Sequence, residues 1–143
     1  MKVYLVQHGK AKSEEEDPEK PLTEEGRKET EALAKSLKSK IKVSKIYCSK
    51  KLRAVQTAEI FAKSLGAKAE SIDGLAPIDP IDRALELLKD GVMIVGHLPH
   101  LSELASKLLV HDETRDIVKF AHSGVLCLEK EEERWHLVFY EVP

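Results

Sequence analysis

No apolar run in this chain approaches the roughly 18 residues needed to cross a membrane, and no signal-peptide pattern opens it, so a cytoplasmic location is expected. A basic excess is missing too. The 23 Lys and Arg residues stand against 25 Asp and Glu, a formal net charge of −2, whereas a general nucleic-acid binder needs the opposite balance. Only two cysteines occur, Cys48 and Cys127. They lie far apart in apolar, strand-like runs without metal-ligand spacing, and read as small buried hydrophobes in a reducing compartment. No His-x-x-x-His or Glu-x-x-His places ligands on one helix face, so no metal is expected. No Gly-rich phosphate loop with Lys-Ser/Thr is present, which removes nucleotide hydrolysis of that kind. Repeats, low-complexity tracts and linkers are absent as well, and 143 residues suit one domain, 1–143.

What is present is an ordinary globular composition, 42% hydrophobic and 34% charged. Its pattern alternates strand and helix. Lys2 to Val6 reads as a strand. Thr23 suits an N-cap, and Glu24 and Glu25 suit the first turn of a helix to about Lys40. Ala32, Leu33, Ala34 and Leu37 give that helix an apolar face. Lys45 to Cys48 is a short strand, after which Ser49 is expected to cap a helix from about Lys51 to Leu65, stopped by Gly66. Ala67 to Ile72 reads as a strand, Asp73 to Asp79 as loop, and Pro80 suits the start of a short helix to about Lys89. Val92 to Val95 reads as a central parallel strand and Leu101 to Val110 as helix. Ile117 to Ala121, Val125 to Leu128 and Trp135 to Val142 read as strands. The whole predicts a three-layer α/β sandwich: a mixed, mainly parallel sheet with helices on both faces. The acidic run Ser13 to Asp17 reads as a solvated loop.

Four stretches carry candidate chemistry. Gln7-His8-Gly9 follows the first strand, so its imidazole sits at the carboxyl edge of a sheet, where open α/β folds place ligands. Gly9 permits a sharp turn and close approach. In Ser49 to Thr57, Arg53 falls in the first turn of a helix. A cation there opposes the dipole unless an anion compensates it, and Lys50 and Lys51 add to the basic cluster. Gly96-His97-Leu98-Pro99 sets a second histidine at a strand end. Ala121-His122-Ser123-Gly124 precedes a late strand, and nothing in the spacing brings it to the others. His100, His111 and His136 read as structural or surface residues.

Taken together, His8-Gly9, Pro21-Leu22-Thr23-Glu24-Glu25-Gly26, Ser49 through Thr57 and Gly96-His97 resemble the histidine phosphatase superfamily, which also contains the phosphoglycerate mutases. The short length, Leu75-Ala76-Pro77, and Gly96 to Pro99 followed by Leu101-Ser102-Glu103-Leu104 most resemble the SixA-type phosphohistidine phosphatases. The resemblance implies the phosphoglycerate mutase-like fold and a metal- and cofactor-free phosphatase. His8 would be the nucleophile, Arg53 and His97 the other catalytic residues, and Gln7, Gly9, Lys10 and Leu98 phosphate-binding residues. The implied substrate is phosphohistidine in a partner protein, or a small phosphorylated compound, with a monomer favoured. The family motif has Arg before the nucleophilic His, and this chain has Gln7. A neutral amide forms no bidentate charged contact. Lys10 is expected to restore the charge, though not the geometry. Alternatives are a phosphoprotein-binding module that has lost turnover, or a small-molecule phosphomonoesterase. The roughly twenty residues from Asp73 to Gly91 leave room for little cap.

Overall fold

Residues 1–143 are described by a computed structural model. In chain order the elements are β1 (Lys2–Gln7), α1 (Glu24–Leu37), β2 (Lys45–Cys48), α2 (Leu52–Leu65), β3 (Ala69–Ser71), α3 (Asp82–Leu87), β4 (Val92–Gly96), α4 (His100–Val110), β5 (Val125–Glu131) and β6 (Arg134–Glu141). The strands form one sheet in the order β3-β2-β4-β1-β5-β6. Neighbours from β3 to β1 run parallel, while β5 and β6 are antiparallel additions. A continuous apolar run such as Val92 to Val95 belongs in the middle of such a sheet, because helices cover both its faces. All five residues of β4 are buried accordingly.

The period-2 alternation of β1 divides the core. Tyr4 and Val6 join Leu33, Ala34 and Leu37 of α1 and Ala54, Ala58 and Phe61 of α2 on one face. Val3 and Leu5 join Leu101, Leu104, Ala105 and Leu108 of α4 and Ala84 of α3 on the other. Helices therefore pack on both faces, as a three-layer sandwich requires. No helix is long and apolar enough to cross a membrane.

Several boundaries differ from the sequence reading. Ile117 to Ala121 is irregular rather than a strand. β5 is already paired on both sides, by β1 and β6, so no adjacent edge is open to it. Its strand-like alternation has another cause: Val118 and Phe120 pack on the α4 side of the core. The helix expected from Pro80 to Lys89 shrinks to Asp82–Leu87, preceded by Ile81. α1 stops at Leu37, the last residue of its apolar stripe, and Lys38 to Lys40 form a turn. Thr23 is the N-cap as expected, its hydroxyl accepting from the Gly26 N–H at 2.9 Å.

Candidate active site

The register of the two central strands builds the site. Gln7 of β1 lies opposite Gly96 of β4, and the His8 N–H donates to the Gly96 carbonyl at 3.0 Å. His8 and His97 thus emerge side by side at the carboxyl edge, their ring centroids 5.1 Å apart. Sequence separation is irrelevant once parallel strands fix the register.

Each ring is held through one nitrogen. His8 Nδ1 lies 2.7 Å from the Gly9 carbonyl, which can only accept, so Nδ1 carries the proton and Nε2 is left with a free lone pair. Burial, with lesser contributions from Arg53, His122 and Lys20, lowers its pKa to about 4 against the opposing Gly9 contact. His8 is therefore a neutral base at physiological pH, as a nucleophile requires. His97 Nε2 sits 2.6 Å from Ser49 Oγ. The Lys51 N–H donates to that same oxygen at 3.3 Å, so Ser49 ties the end of β2 to both α2 and His97. His97 Nδ1 has no partner within the chain. Burial first, then His8, Arg53 and Lys51, lowers the pKa of His97 to about 3. His97 is a neutral hydrogen-bond donor rather than a cation. Ser49 does not cap α2 as the sequence reading had it: the N-cap residue is Lys51, which makes no side-chain capping bond.

α2 delivers Arg53 and latches the loops around it. Thr57 Oγ1 accepts from the Gly9 N–H at 2.9 Å, and Gln56 Oε1 accepts from the Leu22 N–H at 2.8 Å. Arg53 itself is half-buried, and burial alone draws its guanidinium below the usual value, with no carboxylate acting against it. That leaves its fork available to an anion.

A cavity of about 620 Å³ joins His8, Arg53 and His122 with Lys10, Lys12, Lys20, Ser13, Thr23, Glu25 and Ala11. Sequence spacing alone does not bring His122 to the site, yet the fold places it there. Its ring centroid lies 5.4 Å from that of His8, and its Nδ1 is 3.1 Å from the His8 carbonyl. Only the turn between the irregular segment and β5 brings it there, and no spacing rule encodes that. The other phosphate-binding candidates divide. Lys10 faces the cavity, but its ammonium is held by Glu25 at 2.9 Å and Glu29 at 3.1 Å, so it is no free replacement for the missing Arg charge. The Gly9 N–H is committed to Thr57. A Cβ on Gly9 would lie 2.9 Å from both Ser123 Oγ and Thr30 Oγ1, so glycine is needed for this close approach. Leu98 is 38% exposed and lies outside the cavity lining. Gln7 is 9% exposed and continues the α4-facing row of Val3 and Leu5. Its backbone carbonyl accepts from the Ser123 N–H at 2.8 Å.

No group of three His, Cys, Asp or Glu side chains is arranged to hold a metal ion. A second cavity, about 550 Å³ between α1 and α2, is lined by Arg27, Lys35, Lys63, Glu31 and Glu59 and contains no histidine.

Comparison with known proteins assigns the fold. The model of the histidine phosphatase superfamily (branch 1) matches residues 3–82, more than half the chain, including His8 and Arg53. The chain belongs to the histidine phosphatase superfamily. The protein histidine phosphatase SixA, solved with tungstate, is 25% identical, with a TM-score of 0.83 over 99% of this chain and 97% of that one. A SixA-type structure from Agrobacterium tumefaciens is also 25% identical, at 0.82 over 99% and 97%. The alpha-ribazole phosphatase from Shigella flexneri, 15% identical at 0.81 over 99% and 96%, shares the fold. No curated protein sequence matches the chain significantly. Superfamily membership and the SixA likeness support phosphatase activity.

The neutral histidines of this superfamily member carry a consequence for stability. His8 and His97 have folded pKa values of about 4 and about 3, below an ordinary 6.5, and burial lowers that of His100 as well. The unfolded chain therefore binds more protons in this window. The stabilising contribution is complete above about 6.5 and is lost as pH falls toward the folded values. The thermal midpoint is expected to fall between about pH 7 and about pH 5, above the range where most carboxylates titrate. A midpoint flat across that window would contradict buried, neutral histidines.

Proposed function

We propose that this chain is a metal-independent phosphatase that passes the phosphoryl group through His8 and acts on phosphohistidine in a partner protein. The observation that carries the reading is the tether on His8: Nδ1 is fixed on the Gly9 carbonyl, so Nε2 is the nitrogen left for a cavity that Arg53 also lines. Nε2 attacks phosphorus in line and the leaving group departs. Water then hydrolyses the phosphohistidine. Arg53 binds two non-bridging oxygens with its fork. His97, its ring beside that of His8 and its Nδ1 unpartnered within the chain, donates a ring N–H to the oxygens as their charge grows. Lys20, at the cavity wall, adds positive charge for a dianion.

The substrate class follows from enclosure and leaving-group chemistry. Between β3 and β4 only the short α3 stands where a cap would rise. The rim residues Lys12, Ser13 and Glu25 are exposed, and Ala11 is the cavity's one apolar residue. Small molecules are usually held by enclosure and apolar contact, neither of which this mouth offers, whereas a phosphorylated protein brings its own surface. Imidazole, with a conjugate-acid pKa of roughly 6.5, leaves far more easily than an alkoxide.

The test is incubation of the chain with a labelled phosphohistidine protein and with a panel of small phosphomonoesters, without added metal. Faster release of phosphate from the phosphohistidine protein is expected. Stoichiometric binding without release would favour a binding module, and preference for one small ester would assign a phosphomonoesterase. Activity that disappears with a chelator and returns with zinc or magnesium would overturn the metal-free mechanism.

A further inference from the structure

We infer that His122 is the proton donor and acceptor of the reaction, an inference that rests on the phosphatase reading above. The ring stands over the nucleophile, with His122 Nδ1 donating to the His8 carbonyl and the centroids 5.4 Å apart. His122 Nε2 has no partner in the chain and belongs to a residue lining the same cavity as Arg53.

The turn that presents His122 is fastened from several directions. The Ser123 N–H donates to the Gln7 carbonyl at 2.8 Å, and the Ser123 hydroxyl pairs with that of Thr30 on α1. The Ala121 N–H donates to the Tyr140 hydroxyl of β6. A Cβ on Gly124 would come within 2.6 Å of that hydroxyl, so glycine lets the turn sit against Tyr140. Ser123 holds a left-handed φ of 63°, a conformation that a non-glycine residue keeps only where neighbours impose it. These ties to β1, α1 and β6 fix an otherwise exposed histidine above His8.

Elimination points the same way. A phosphatase acting on anything less labile than phosphohistidine needs a group that gives a proton to the leaving atom. Among the residues lining the cavity, Glu25 is the one carboxylate, and it is paired with Lys10. Asp79 lines a different cavity and accepts from the Ala76 N–H at 2.9 Å. His8 is the nucleophile, and His97 is tied to Ser49. Lysine and arginine hold their protons too tightly at neutral pH, whereas an imidazole gives and takes one there.

The steps balance as follows. His8 Nε2 forms a bond to phosphorus while the bond from phosphorus to the leaving oxygen or nitrogen breaks. That atom takes the proton from Nε2 of the His122 imidazolium. Water then attacks the phosphohistidine, giving a proton to the now neutral His122 as its oxygen bonds phosphorus. The bond from phosphorus to His8 breaks, and the electron pair returns to Nε2. Inorganic phosphate leaves and His122 is again an imidazolium. With such an acid in place the same site would also cleave phosphomonoesters whose leaving groups need protonation, beside the phosphohistidine proposed above.

The experiment compares wild type, His122→Ala and His122→Asn on two aryl or alkyl series: 2,4-dinitrophenyl phosphate, whose leaving group needs no acid, and phenyl or alkyl phosphate, whose leaving group does. Loss of a general acid is worth about 10²–10⁴ in rate. For both variants, kcat/KM on phenyl or alkyl phosphate is expected to fall about 10²–10³-fold while that on the dinitrophenyl ester stays within about threefold. A burst of dinitrophenol followed by slow turnover is expected as phospho-His8 accumulates for want of the base. Asn can keep the donor contact to the His8 carbonyl without carrying a proton, so rescue by Asn would reveal a positioning role and overturn the inference. Equal losses on both esters, or none, would overturn it as well. A wild-type chain that never becomes phosphorylated on His8 would instead bring down the phosphatase reading beneath it.

Discussion

His8→Ala is expected to abolish phosphoryl turnover, with a loss of at least about 10³-fold in kcat and no phosphoenzyme, while the fold survives. The physical basis is the division of labour between the two ring nitrogens. Nδ1 is fixed on the Gly9 carbonyl, and burial, largest among its influences, holds the pKa at about 4, so Nε2 presents a lone pair without first losing a proton. The His8 backbone contacts with Gly96 and His122 do not involve its side chain, so alanine leaves them in place. Rapid quench with labelled substrate, followed by alkaline peptide mapping, checks both halves of the expectation. Retention of more than about a tenth of the wild-type rate, with a thermal midpoint unchanged, would end the covalent mechanism.

Gln7→Arg is expected to raise kcat by about 10²–10³-fold, corresponding to the roughly 2.7–4 kcal/mol that a well-placed donor contributes to a transition state in a water-poor site. Superfamily members carry Arg at this motif position, and here the side chain is a neutral amide that is 9% exposed. A second guanidinium would clamp the phosphoryl group opposite Arg53. It would act mainly on the chemical step, because the equatorial oxygens are best matched while the group is in flight. A cation placed at so buried a position also costs stability until an anion arrives. The variant is therefore expected to melt lower than wild type and to recover in vanadate or tungstate. Lys10 supplies the control. Its ammonium is held by Glu25 and Glu29, so Lys10→Ala is expected to change turnover far less than Gln7→Arg does, and the two effects to add. Unchanged or lower turnover in Gln7→Arg would mean that the amide suits binding without hydrolysis, and would move the chain to the phosphoprotein-binding reading.

The sequence alone was sufficient for the sheet core because its cues are local. The continuous run Val92 to Val95, the alternation in β1, and the Thr23 cap with Glu24 and Glu25 each act within a few residues. The two strand-end histidines and Arg53 were legible for a related reason: a residue just past a strand or just inside a helix has its position set by that element. Ile117 to Ala121 misled for the converse reason. Alternating burial produces the same pattern whether a segment pairs in a sheet or lies over a helix, and only the paired flanks of β5 exclude the sheet.

What tertiary structure decided is everything that depends on two distant segments meeting. It turned Ser49 from an expected cap into a hydrogen-bond partner of His97, because β2 and β4 end side by side. It paired Lys10 with two carboxylates by laying the loop after β1 against α1, where a Cβ on Gly26 would fall 2.3 Å from the Lys10 carbonyl oxygen. It brought His122 over His8 through contacts to β1, α1 and β6 that no spacing in the chain records. Local propensity and periodicity therefore determined the elements and the place of His8 at a strand end. The charge state, tautomer and company of His8 were decided by packing, because burial and hydrogen bonding depend on which surfaces face one another in space.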